Sequence, residues 1–346
     1  MPQQTQTGFY PSAAQNAQNY INIVRRNFTP TLVYQNVRKA KPFLRFILEN
    51  CSKERSGGFS PITQPVTFQT FGADGALSDW TGTFAIPGIT NPIVNAEWNQ
   101  ALYVQPVAFT MPELSLMEGK GSDAYVVIDV IKARLFDKYQ SVLDSLSAYF
   151  LGTGTANNLS FLGIQDAIDA GTNAATYGNL ARATYAGWNS NIYANTQGAS
   201  PAYLQFLYYI MSFLQDTTNP LPNLALCSYP VFYSVMTSFT AIEQIKIQTP
   251  QGVTSTRNYE IQALDIGGVP LIVDPNLTGA TTYFMNTDHL KYYYNSDFHF
   301  KMTDLADLQP IGQLGYVQAL TVAGQFLTDL PSSHFALTGS PSTVLA

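Results

Sequence analysis

Proton transfer near neutral pH is histidine chemistry, and this chain has three histidines, His289, His299 and His334, all in its last fifth. Asp288 directly precedes His289, an arrangement that would hold an imidazole tautomer for a serine or thiol nucleophile. No GxSxG elbow supplies that nucleophile, and the chain has no HExxH, no GxxxxGK[ST] and no GxGxxG. Cys51 and Cys227 stand apart, without a CxxC or a histidine at metal-ligand spacing; buried free thiols in a reducing compartment are expected, and a structural zinc is not. Asp265, Asp274, Asp288 and Asp297 sit among turn residues, where aspartate caps and bends the backbone. The expectation is a protein with no catalytic residues, metal or cofactor. A hydrolase built on Asp288, His289 and His299 is the disfavoured alternative.

The distribution of charge is more informative. Arg25, Arg26, Arg38, Lys39, Lys41, Arg45, Lys53 and Arg55 place eight cations in the first 55 residues against Glu49 and Glu54, which leaves nine cations and 21 acids in the other 291. A basic arm on an acidic body suits contact with a polyanion or an acidic segment, through charge and without reading sequence. Only 12% of residues are charged while 46% are hydrophobic, so much of the monomer's surface is expected to meet other copies. The 3 Trp, 21 Tyr and 21 Phe favour protein interfaces over carbohydrate or base stacking. No stretch is apolar for long enough to cross a bilayer as a helix, and the start lacks a secretory pattern; a soluble, unexported protein with no membrane partner is expected.

The elements that would position these residues imply two lobes. Residues 1–20 are polar, and Tyr20 to Cys51 mixes apolar residues with the cations, an arm that lies against something. Between Arg55 and Lys120 there is no lysine or arginine, apolar residues alternate at Val66, Phe68 and Leu102, Val104, and Pro87 to Pro92 is turn-rich. That is a two-stranded excursion, too thin to be stable without a partner surface, with Gly57, Gly58, Gly72 and Gly75 as candidate hinges. A long helix is predicted from the Ser122-Asp123 cap to Phe150, ended by Gly152, with an apolar stripe at Ile128, Ile131, Leu135, Tyr139, Val142, Leu146 and Tyr149. Helices at Tyr203–Gln215 and from Tyr229 to about Ile242 alternate with strands at Asn223–Cys227, Thr282–Asn286, Lys291–Tyr294, Phe298–Met302 and Val317–Thr328. A hairpin is predicted between Ile261–Leu264 and Val269–Val273. No repeat of solenoid or propeller type is present.

This order of parts, basic arm, lysine-free extension, spine helix, mixed α+β lobe and returning strands, resembles the major capsid proteins of tailed bacteriophages with the HK97-type fold. The most specific match is Thr176-Tyr177-Gly178-Asn179-Leu180-Ala181-Arg182 leading to Trp188, similar to the family's "tyGgldR…W" stretch and preceded, as there, by Phe161 to Ile168. The layout covers the whole chain; the motifs cover about residues 120–190 and, more loosely, Gln313 to Leu337. The resemblance implies an α+β fold with an N-terminal arm at 1–55, an extended hairpin or E-loop region at 56–119, a peripheral domain with the spine helix at 120–162 and 286–346, and an axial domain at 163–285. It implies hexamers and pentamers closing into an icosahedral head around double-stranded DNA, assembled in the host cytoplasm. Scaffolding, portal and decoration proteins are further implied partners. On this reading Trp80, Phe84, Ile89 and Trp98 anchor the extension on a neighbour, and Arg25, Arg26, Arg38, Lys39, Lys41 and Arg45 face the interior. An encapsulin-type nanocompartment is the alternative on the same fold. Two departures stand out: no lysine lies between Lys53 and Lys120 to crosslink the extension, and no long helical preface serves as a built-in scaffold.

Overall fold

The computed structural model describes residues 41–55, 58–68, 93–110, 124–154, 160–198, 200–216, 221–238 and 264–342. A proline at the first helical position starts the short helix α1, Pro42–Phe46, whose Phe43, Leu44, Arg45 and Phe46 are all buried. A wider helical turn follows through Cys51 and runs into β1, Ser52–Arg55. Strands β2, Ile62–Thr67, and β3, Ile93–Trp98, pair antiparallel from Ile62 opposite Trp98 to Thr67 opposite Ile93. Strand β4, Ala101–Thr110, precedes the spine helix α2, Ala124–Leu151, ended by Gly152 as its sequence requires. Next come α3, Ile164–Ala167, a small hairpin of β5, Thr176–Tyr177, and β6, Leu180–Ala181, and strand β7, Asn191–Ala194. Helix α4, Ala202–Asp216, strand β8, Leu224–Cys227, and helix α5, Tyr229–Ser238, follow.

The remaining strands are β9, Leu264–Ile266, β10, Val269–Val273, β11, Thr282–Met285, β12, Leu290–Asn295, β13, Lys301–Met302, β14, Ala306–Asp307, β15, Gly315–Thr328, and β16, Phe335–Thr338. Gly267 and Gly268 both have positive φ, the geometry a two-residue hairpin turn demands, and they join β9 to β10; the hairpin is the expected one, but Asp265 and Ile266, beyond the strand predicted to end at Leu264, pair within β9. The strand predicted at Phe298–Met302 is shorter than its pattern: Phe300 lies at φ 49° and breaks the extension, so only Lys301 and Met302 pair.

The chain divides into two compact units. One holds Leu102–Leu146 and Ser296–Ala323 among its described residues. Here β4, β13 and β14 pair with the first part of β15. Tyr103 donates its hydroxyl proton toward the helix at Ser145 (3.1 Å), and Arg134 lies over the Phe109 ring (6.0 Å), so the Tyr103, Val107, Phe109 side of β4 is its inner side. Leu102 and Val104, which the alternation singles out, are 45% and 47% exposed. The strand is apolar on both faces, so period alone does not choose the inner one. On α2, Leu135, Tyr139, Val142 and Leu146 are buried as the stripe requires.

The other unit holds Lys41–Ala101, Ser147–Asn295 and Gly324–Ala346. At the end of the spine helix Phe150 is fully buried and Tyr149 exposed, because 3.6 residues per turn carry a three-four stripe off the buried side. Phe150 packs with Phe161, Tyr292 and Phe326. A six-stranded sheet in the order β7-β16-β11-β8-β10-β9 carries α4 and α5. Its core is aromatic: Phe284 and Phe335 stack at 4.2 Å, and Phe206 and Phe213 come down from α4. Strand β16 sits between β7 and β11, so a C-terminal segment assigned by position to the peripheral part joins the sheet of residues 191–285. Likewise β1 pairs parallel with β12, Ser52 opposite Tyr292 to Arg55 opposite Asn295, so residues 41–55 belong to the core of this unit.

Candidate assembly interface

The family-like stretch builds a clasp. Its hairpin turn, Gly178-Asn179, holds φ of 57° and 58°, the left-handed pair that glycine and asparagine tolerate best. Gly178 lies flat on the indole of Trp98: a Cβ there would meet ring atoms at 2.8 Å. Its carbonyl accepts the Glu97 amide (2.9 Å), which ties β3 to the turn. Trp98 meets Tyr177 edge-on at 5.7 Å and Trp188 at 6.3 Å, and the Trp188 indole donates to the Tyr177 carbonyl (2.9 Å). The Tyr177 hydroxyl accepts the Thr328 amide (2.9 Å).

Beneath the clasp, Arg182 is 1% exposed and is held almost entirely by main chain. Nη1 donates to the carbonyls of Asp169 and Trp188, and Nη2 to those of Asp166 (2.6 Å) and Ala167 (3.3 Å). The guanidinium also faces the Tyr177 ring at 5.2 Å. Burial lowers its pKa, while Tyr177, Asp169 and Asp166 act in the opposite sense. Asp166 accepts from the Gly163 and Gly154 amides, yet burial outweighs those bonds and raises its carboxyl above the usual range. Asp169 gathers the amides of Gly171, Asn173 and Ala174, each at 2.9 Å, and so shapes the loop that leads into the hairpin.

Several residues assigned by sequence to contacts outside the subunit lie elsewhere. Trp98, expected to anchor on a neighbour, is 3% exposed and packed inside its own chain, because the alternation of β3 turns it toward the clasp. Lys41 and Arg45, expected to face the interior of a shell, are buried in the subunit. Arg45 pairs with Glu49 at 3.1 Å, and burial lowers the pKa of Lys41 against the opposing charge of Asp274. The cause is the apolar set Phe43, Leu44, Phe46 and Ile47, which draws this segment into the core and takes the cations with it. Arg25, Arg26, Arg38, Lys39, Trp80, Phe84 and Ile89 lie outside the described residues.

Among the described residues no histidine is bonded to the Asp288 side chain. His289 Nδ1 lies 2.8 Å from Asp329, whose other oxygen takes Lys291. Burial would raise Asp329, but the bonds from Lys291 and His289 outweigh it and hold its carboxyl low. His334 is fully buried, accepting the Asn286 amide at Nδ1 (3.0 Å), with Nε2 2.7 Å from Thr328 Oγ1. Both thiols are buried, and burial pushes Cys51 up to about 12.

One exposed face is apolar. Helix α4 buries Phe206, Tyr209, Ile210 and Phe213 on its sheet, yet Leu204, Tyr208 (53%) and Met211 (60%) are exposed at helical spacing on the opposite side. Its 15 residues contain one charge, Asp216 at the end. Sequence reading places a helix here but assigns no role to its second face, although an apolar residue at nearly every position signals it.

Compared by sequence, the chain matches no protein-family model and no curated protein. Compared by fold, it is similar to shell proteins. The capsid of the cyanophage A-1(L) aligns over 86% of this chain and 92% of its own at 15% identity, with a TM-score of 0.63. The capsid of the native GTA particle aligns over 86% and 90% at 8% identity, TM-score 0.54. The holo-SrpI encapsulin complex of Synechococcus elongatus aligns over 89% and 92% at 9% identity, TM-score 0.52. The fold is therefore the HK97-type α+β fold of tailed-phage major capsid proteins, in agreement with the motif resemblance.

Proposed function

We propose that this chain is the structural subunit of a phage head, a major capsid protein whose copies form hexamers and pentamers that close around double-stranded DNA. The observation that carries the proposal is the outer face of α4, an exposed, uncharged, apolar surface on a subunit with a shell fold. A monomer gains nothing from such a face; in an assembly it is buried against the next copy. The uncharged outer side of β4, with Leu102, Val104, Pro106 and Ala108, supports the same reading. Arg25, Arg26, Arg38 and Lys39 then supply the cations that screen packaged DNA or hold an acidic scaffold segment. Trp80, Phe84 and Ile89 are the anchors of the extension on a neighbour, and portal and decoration proteins complete the virion.

Negative-stain microscopy of the expressed protein tests the reading. Round closed shells of uniform size are the expected result, and a monodisperse monomer over the same concentration range overturns it. The fold is shared with an encapsulin. Nuclease-resistant DNA inside particles from the native source supports a phage head, and an enclosed enzyme in its place supports a nanocompartment.

A further inference from the structure

We infer that the loop 176–188 is a fixed mount that grips both strands of the β2–β3 ribbon and sets the direction in which that ribbon points. The inference rests on the shell reading for its consequence, but the mount itself is visible in one unit.

A two-stranded ribbon is marginal in water, so something must hold β2 and β3 in place. Trp188 receives a ring from each strand's side of the ribbon, Trp98 at the Ile62 end of the pairing and Phe68 just past the Thr67 end. Directly after β2, Phe68 packs edge-on to Trp188 at 5.8 Å and stacks on Tyr185 at 4.6 Å. From β3, Trp98 reaches the same indole at 6.3 Å, and Glu97 is bonded to Gly178. Trp188 is itself immobilised at both ends, its indole N–H on the Tyr177 carbonyl and its own carbonyl on Arg182. Rotating the ribbon about its base would separate these three aromatic contacts and a main-chain hydrogen bond together, because each side of the ribbon has its own attachment.

Gly58, near the base, does not release it. Gly58 has φ 66° and open space around it, but Gln100 Nε2 donates to the carbonyls of both Gly58 and Ser60, and Gln325 Nε2 ties the Asn99 carbonyl on the other strand. The expected hinge at Gly58 is thus fastened to the link between β3 and β4. Trp98 Nε1 has no hydrogen-bond partner among the described residues, so the indole contributes shape and packing and no polar recognition. In a shell, a fixed launch direction decides which surface of a neighbour the extension meets, and Phe68, Trp98, Gly178 and Trp188 are positioning residues for assembly.

The experiment compares Phe68→Ala with Val235→Ala, a change in the α5 core of the same unit that also lowers the melting temperature. Phe68 is half-buried, so the Phe68→Ala subunit keeps its circular dichroism. Its yield of closed shells of wild-type diameter falls at least tenfold, with open or irregular particles in their place, while Val235→Ala closes normal shells. Phe68→Ala shells of wild-type size and yield within twofold overturn the inference, as does an identical assembly defect in Val235→Ala. Hydrogen exchange on the unassembled wild-type subunit keeps the mount testable if no shells form at all. The Glu97 amide and the β2–β3 amides exchange as slowly as those of β8 if the ribbon is mounted. Exchange at least a hundredfold faster than β8 overturns the mount irrespective of what the chain assembles into.

Discussion

Two apolar clusters in the same unit have opposite fates. Around the clasp, Phe68, Trp98, Tyr177 and Trp188 close on one another and leave Trp98 and Trp188 almost without exposure. On the outer side of α4, Leu204, Tyr208 and Met211 stay open to solvent. The first cluster has a partner supplied by its own chain, the hairpin that carries Gly178. The second has none among the described residues, because the inner face of the same helix already covers the sheet. Aromatic character marks where burial is favourable; whether the burial is internal or between copies depends on which surfaces the fold has already covered.

Substitutions in the two clusters should therefore differ in kind. Arg182→Met removes the guanidinium donors from four buried carbonyls; those of Asp169 and Ala167 keep Ser190 as a donor, and with the Asp166 and Trp188 carbonyls orphaned at about 1–3 kcal/mol each the expected loss of unfolding free energy is about 4 kcal/mol, read from urea denaturation. Lysine at this position should recover little, since one ammonium does not reproduce the guanidinium fork. A loss below about 1 kcal/mol would show that the clasp does not depend on Arg182.

Gly178→Ala adds a Cβ to a left-handed residue 2.8 Å from the Trp98 ring, and strain with overpacking should cost about 2–3 kcal/mol in the same assay. An unchanged midpoint would mean that the ring moves freely and the cluster is loosely packed.

The next effect is one of pH. Burial chiefly, with His289 adding to it, depresses His334 to about 3, whereas in the unfolded chain it titrates near 6.5. As pH falls below about 6.5 the unfolded chain takes up a proton that the folded one refuses. This contribution to stability is therefore full above that pH and is lost progressively down to about 3, by about 1.4 kcal/mol per pH unit. His334→Gln should be less stable at pH 7 but should show a flatter slope between pH 4 and 6; equal slopes in the two proteins would remove His334 from the acid limb.

The smallest effect on the subunit belongs to α4. Tyr208→Ser combined with Met211→Ser should change unfolding free energy by only about 0.5 kcal/mol, as exposed positions do. The concentration needed for shell formation, followed by light scattering, should nevertheless rise about tenfold or more, equivalent to about 1.4 kcal/mol of association free energy per subunit. Assembly at the wild-type concentration would assign the face to something other than a second copy.

Much of the architecture was legible before any coordinates. The spine helix and its glycine stop, α4 after its Ser-Pro start, the Gly267-Gly268 hairpin and the motif around Gly178 all follow from local signals: period, caps and turn residues. A chain element carries those signals in its own few residues. Which face of β4 is inner, whether Phe150 or Tyr149 is buried, and whether Trp98 points home or outward are not local properties.

The same holds for residues 41–55. Their cations read as a free arm, yet Ser52 of β1 pairs with Tyr292 of β12, far along the chain, and Phe43 donates its amide to Asp274 (3.4 Å). The amino-acid sequence by itself determined the kinds of element, the uneven charge and the weakly charged body suited to packing with copies. Only the tertiary structure decided which apolar side chains were satisfied within the subunit and which were left over. Periodicity states that a face seeks cover, and the partner that provides the cover comes from residues distant in the chain.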